Sequence, residues 1–234
     1  VGQQPLAVGI EMDRLMAPFE QGVADETLER LEALLVAAGR GVDLEQLRGE
    51  LEQLPPRPKT NFTARDAVAA HDQIVDGLHK LSSRVKVLID MGNHDYLADP
   101  ENPFFKFLNK MENIKFITKP TMVGRLFFVP HIATHEEWDA LRPDKQPDYA
   151  FIHQTVTGAI SESGQRLDGF SLKPMKRLKC PVYAGDVHKP HTVGPVTYVG
   201  PPYHVRFGDN FNPRCLVLDE KTGKTKDIHF ECPR

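Results

Sequence analysis

Two kinds of hydrophobic spacing divide the chain near residue 55. In DETLERLEALLVAAG (25–39), Leu28, Leu31 and Leu35 recur every three or four residues. In DLEQLRGELEQL (43–54), Leu44, Leu47, Leu51 and Leu54 do the same. That period puts each set on one helical face, so two amphipathic helices are expected, separated at Gly39 and Gly41. Asp25 and Asp43 suit the N-cap positions. PPRPKT (55–60) is a stiff break, after which Val68, Ile74, Leu78 and Leu81 mark a third helix over 65–82.

Beyond that helix the apolar residues come in short runs. KVLID (86–90), IKFIT (114–118), LFFVP (126–130), DYAFIH (148–153), PVYAG (181–185), TYVG (197–200), CLVLD (215–219) and DIHF (227–230) read as strands, and PFFKFLNKM (103–111) as a short helix. The alternation suggests an α/β (α+β) layered domain over 58–234, after an atypical N-terminal helical segment at 1–57. Functional groups should then sit in loops at strand ends.

Composition narrows this picture. Charged residues at 26% and hydrophobic residues at 40% describe a soluble globular chain, and a net charge of −3 gives no general attraction to nucleic acid. No apolar run is long enough to span a membrane, so no membrane partner is expected. Cys180, Cys215 and Cys232 are odd in number and widely spaced, which fits a reducing cytoplasm rather than a disulfide scaffold or thiolate zinc site. Val1 is not Met, so the chain is expected to be processed or cut from something longer.

Three strand ends carry polar groups that packing does not require. Asn93, His94 and Asp95 follow the first run in GNHDY, His153 ends another, and GDVHKPH places Asp186, His188 and His191 after a third. Together they offer a neutral oxygen, imidazoles and carboxylates, a set suited to manganese, zinc or iron. Asp186 and His188 are two apart and point the same way in an extended segment. Two metals a few ångströms apart can grip a phosphate and activate water. A lone strand-end histidine is most often structural in a chain with ten of them; G-N-H-D after a buried strand is more specific. His71, His79, His131, His135, His204 and His229 are assigned to surface or structural roles, and Trp138 to packing.

VLIDMGNHD, then FIHQ, then YAGDVHKPH and VTYVGPPYHVRFGD resemble the calcineurin-like metallophosphoesterase superfamily over roughly residues 58–230. Within it they are most similar to the SbcD-type nuclease branch, which includes phage recombination nucleases, and the resemblance implies a two-layered β-sandwich flanked by helices. Asp95 stands where phosphoprotein phosphatases usually carry Glu. The resemblance implies that Asn93, His153 and Asp186 ligate one metal and His188 the other. It implies that His94 is catalytic, stabilising transition-state charge or protonating the leaving oxygen, with Asp95 orienting its ring. Asp186 stands where many members have His, and a carboxylate there favours a harder metal such as manganese; two manganese ions are expected, with zinc, iron or magnesium as alternatives. The implied function is metal-dependent hydrolysis of DNA by an exonuclease subunit in repair or recombination. It would work as a homodimer with an SbcC-type ATPase, in the cytoplasm of a bacterial or phage-infected cell.

The family's two earlier motifs, D-x-H and G-D-x-x-D, do not occur before residue 92. Glu50, in Gly49-Glu50-Leu51, and Asp13 are the nearest substitutes. The motifs lie upstream of Val1, or the helical segment has replaced them, or unusual residues complete the site. A catalytically degenerate binding subunit and a phosphatase acting on a small molecule or phosphoprotein are the alternative functions.

Overall fold

A computed structural model describes residues 64–96, 100–101, 103–205 and 209–229. The expected helices at 25–39 and 43–54, the 1–57 segment, Glu50 and Asp13 lie outside the described residues.

Helix α1 (Ala64–Ser82) buries Ile74, Leu78 and Leu81 on one face. Its last turn is closed by side chains: Ser82 Oγ donates to His79 O at 3.0 Å, and Asn113 Nδ2 donates to Ser82 O at 3.0 Å. The helix covers β1 (Val87–Asp90) and β2 (Ile114–Ile117), which pair in parallel. Val87, Ile89, Ile114 and Phe116 pack in the cluster that contains Ile74 and Leu78. The helix expected at 103–111 is a single 3-10 segment, Lys106–Lys110. Asn109 ties it to β2, donating to Phe116 O and accepting from Phe116 N–H.

The main sheet is mixed and six-stranded: β3 (Thr121–Val123), β4 (Leu126–Val129), β5 (Tyr149–Ile152), β6 (Val182–Ala184), β8 (Val196–Tyr198) and β7 (His191–Val193), in that spatial order. The four central strands are parallel; β3 and β7 are antiparallel edges. The chain is therefore mixed α/β. β9 (Arg214–Leu218) and β10 (Thr225–His229) form a separate hairpin. The edge strands were absent from the sequence expectation. Each folds back on its neighbour through a glycine in the left-handed region, Gly124 (φ 63°) and Gly194 (φ 57°).

Alternation across β4 and β5 sorts the core. Phe127, Val129, Ala150 and Ile152 pack with Trp138 of α2 (His135–Ala140) and with Met175 and Leu178 of α3 (Lys173–Leu178). Leu126, Phe128 and Tyr149 pack on the opposite side with Leu88 of β1 and Ile117 of β2. Burial on both faces explains why LFFV reads as an unbroken apolar run. The order through the core is α1, the β1–β2 pair, the six-stranded sheet, then α2 and α3. Trp138 packs as expected, fully buried, with its Nε1–H donating to Ser171 O at 2.7 Å. Among the described residues no helix is long and apolar enough to cross a membrane.

Candidate metal centre

Parallel strands put all their carboxyl ends on one edge of a sheet, and ligands collect there. His131 follows β4, His153 follows β5 and Asp186 follows β6. β1 joins this edge because His131 N–H donates to Met91 O at 2.8 Å, which brings the Gly92–Tyr96 loop alongside.

Three of the expected residues meet. His153 Nε2 is 3.0 Å from Asn93 Oδ1 and 3.8 Å from Asp186 Oδ1. His153 is buried (3% exposed) and Asn93 and Asp186 are half-buried. The residues after β5 are held from several sides. Gln154 Oε1 accepts from Ile132 N–H, Tyr198 Oη donates to Gln154 O and accepts from Val156 N–H, and Thr155 Oγ1 donates to Asp186 Oδ2. Burial raises the pKa of the Tyr198 hydroxyl, so it stays protonated and able to donate. Asp186 itself holds φ at 73°, a sparsely populated conformation for a residue with a side chain.

The other expected residues take different places. His94 is exposed beside the cluster. Asp95 is fully buried, and its Oδ2 accepts from Gly92 N–H at 2.7 Å, closing the G-N-H-D loop on itself. His188 is buried with Nδ1 2.9 Å from Glu162 Oε1. His191 is structural: its Nε2 accepts from Ile160 N–H, its Nδ1 donates to Lys189 O, and its ring stacks on Tyr198. His135 stacks on Phe170, and His204 bonds to Phe211 O.

Sequence reasoning set aside His131, which the fold brings to the site. Its ring centroid is 6.4 Å from that of His153, and its Nδ1 is 2.8 Å from Tyr96 Oη. Burial first, then the neighbouring His153, lower its pKa, with Asp186 opposing, so the ring is held towards its neutral form. Burial also raises the Tyr96 pKa, so its hydroxyl keeps its proton in the hydrogen bond with His131 Nδ1. The signal was present, since His131 stands just past a buried strand as His153 does.

Gly92 has a steric reason to be glycine. A Cβ there would lie 2.9 Å from His153 Cε1 and 3.2 Å from Nε2. Gly92→Ala must push the ring away, and such overpacking costs about 1–3 kcal/mol. Urea unfolding should show that loss; a variant as stable as the parent would mean the ring yields freely.

Asp90 ends β1 with a buried carboxyl (7% exposed) whose oxygens have no hydrogen-bond partner among the described residues. Burial, reinforced by the charge of Asp95, pushes its pKa well above the ordinary carboxylate range. Such a group stabilises the fold below its unfolded pKa of about 3.9, and the contribution is lost as pH rises through the folded pKa. Asparagine does not titrate. The melting temperature of Asp90→Asn should therefore gain on the parent between about pH 4 and about pH 8 in chelator-treated samples. An offset equal at both ends would contradict this.

The donor set of Asn93 Oδ1, His153 Nε2 and Asp186 Oδ1 fits one divalent cation: three protein donors leave coordination positions open for water or substrate. Among the described residues no group of three or more His, Cys, Asp or Glu side chains is arranged to hold a metal, and the set above takes the amide of Asn93 as its third donor. Neither protein-family models nor curated proteins give a match to this chain.

Proposed function

We propose that the chain is a metal-dependent phosphodiesterase acting on DNA, an exonuclease subunit of the SbcD type. The observation that carries this reading is the meeting of Asn93, His153 and Asp186, from positions far apart in sequence, at the carboxyl ends of β1, β5 and β6. The layer order, with two sheets packed between helices, supports a metallophosphoesterase-like sandwich. A homodimer with an SbcC-type ATPase, working in the cytoplasm, belongs to the same reading.

Asn93, His153 and Asp186 would hold one cation, with His188 serving a second. When bound, such a cation supplies positive charge to a phosphate and makes water nucleophilic near neutral pH. The chain's own groups do the rest. His94, exposed and next to Asn93 in the chain, would donate a proton or hydrogen bond to a leaving oxygen. Asp95 keeps the loop in shape through Gly92 N–H. Asn93 Oδ1 accepts from His153 Nε2–H, so a cation held by that nitrogen would need the ring's proton on Nδ1 instead.

A second reading is a subunit that keeps the fold for binding and hydrolyses weakly. It is favoured by the position of the His188 ring, whose Nδ1 lies 2.9 Å from Glu162 Oε1. Hydrolysis of linear duplex DNA and of nitrophenyl phosphate, each with manganese and with chelator, separates the readings. Manganese-dependent DNA cleavage is expected. Faster turnover of nitrophenyl phosphate would indicate a phosphatase, and manganese binding without hydrolysis the weak subunit.

A further inference from the structure

Phe104 is the one large hydrophobic side chain among the described residues that is exposed (49%). A solitary exposed aromatic is ordinary on a protein surface. Three observations set this one apart. Its backbone N–H donates to Asp95 O at 2.9 Å, so it hangs from the loop that carries Asn93 and His94. Asn93 is two residues from Asp95, at most about 7 Å of chain. That loop is itself closed, because Gly92 N–H donates to Asp95 Oδ2 and Asp95 N–H to Gly92 O. The ring is also propped from the core. It meets Phe105 edge to face, with centroids 6.4 Å apart, and Phe105 is buried and meets Phe116 in the same manner. Phe104 is thus held out in solvent near the cluster while its neighbour packs inside.

The third observation is charge. Residues 100–119 contain four lysines and two glutamates, in a chain of net charge −3. Lys119 is paired with Glu101 at 3.0 Å. Lys106 and Lys110, on the 3-10 segment that follows Phe104, are exposed and in no ion pair among the described residues. An exposed aromatic ring with basic side chains beside it is the combination that binds an unpaired nucleic-acid strand: bases stack on the ring and phosphates take the lysines. We propose that Phe104 is a base-stacking residue for the DNA substrate, holding an unpaired nucleobase near the metal cluster, with Lys106 and Lys110 on the adjoining phosphates. This rests on the reading of the chain as a DNA nuclease and names the part of the substrate it recognises. A base inside a duplex has no free face to stack, so the preferred substrate is an unpaired stretch of strand.

The test measures binding by the full chain, with calcium in place of manganese and strand integrity checked on a gel. The probes are fluorescein-labelled oligothymidylate and the same backbone without bases. Phe104→Ala should weaken oligothymidylate binding by about 5–150-fold, the span of one lost base–aromatic stack, and leave the abasic strand within about twofold. Phe104→Trp keeps a stacking face and should bind oligothymidylate as tightly as the parent. The double variant Lys106→Ala/Lys110→Ala should weaken both strands alike and lower the salt slope of binding by about 0.7 per lysine. Parental oligothymidylate affinity in Phe104→Ala, or an equal loss on both strands, would overturn the stacking role of Phe104 alone. A parent that binds neither strand would instead overturn the DNA reading beneath it.

Discussion

His153→Ala should lower the affinity for manganese by about a hundredfold or more and remove DNA hydrolysis with it. Outer partners of ligating histidines are already worth about 10–100-fold, and the ligand itself should be worth at least as much. Nε2 of this ring is 3.0 Å from Asn93 Oδ1 and 3.8 Å from Asp186 Oδ1, so its loss leaves one amide oxygen and one carboxylate of the three donors. The ring is also packed against Gly92, so the substitution opens a cavity in that contact. Some loss of stability is therefore expected. Calorimetric titration below the melting transition distinguishes lost affinity from lost fold. A folded His153→Ala chain with parental affinity would remove this residue from the metal centre.

His94→Ala should do the opposite in kind. The side chain is exposed, so its removal should change stability by no more than about 0.5 kcal/mol, the usual range for surface substitutions. It is absent from the His153–Asn93–Asp186 contacts, so manganese affinity should be nearly unchanged. Turnover should fall by about 10²–10⁴-fold, the range for a group acting on charge or protons in the transition state. Steady-state rates at saturating manganese check this. Joint loss of metal and turnover would make His94 a ligand, and an unchanged rate would leave it without a catalytic role.

What was legible in the sequence follows from burial. VLID and LFFV are covered on both faces, so their hydrophobic runs are unbroken and the strands were readable. The polar residues after those runs stood out for the same reason, but the grouping of Asn93, His153 and Asp186 came from the resemblance to metallophosphoesterase motifs. Strands of one sheet were expected to bring them together, whereas β1 lies in a different sheet from β5 and β6. β3 and β7 were not. Each is three residues long and at most half-buried, and exists because a glycine turn folds it onto a longer neighbour. Six-residue helices such as α2 are too short for a periodic signal; the buried residue of α2 is Trp138. His131 carried the strand-end signal but was obscured by the number of histidines. Glu162 carried none, because its meeting with His188 depends on a loop that His191 fastens from across the sheet edge.

The central claim is that Asn93, His153 and Asp186 hold a divalent cation. Calorimetric titration of manganese into the purified 234-residue chain tests it most directly, with His153→Ala and Asp186→Ala run alongside. The expected result is one tight site per chain and loss of that site in both variants. No manganese uptake by the parent at millimolar metal, or a tight site that survives in both variants, would contradict the account.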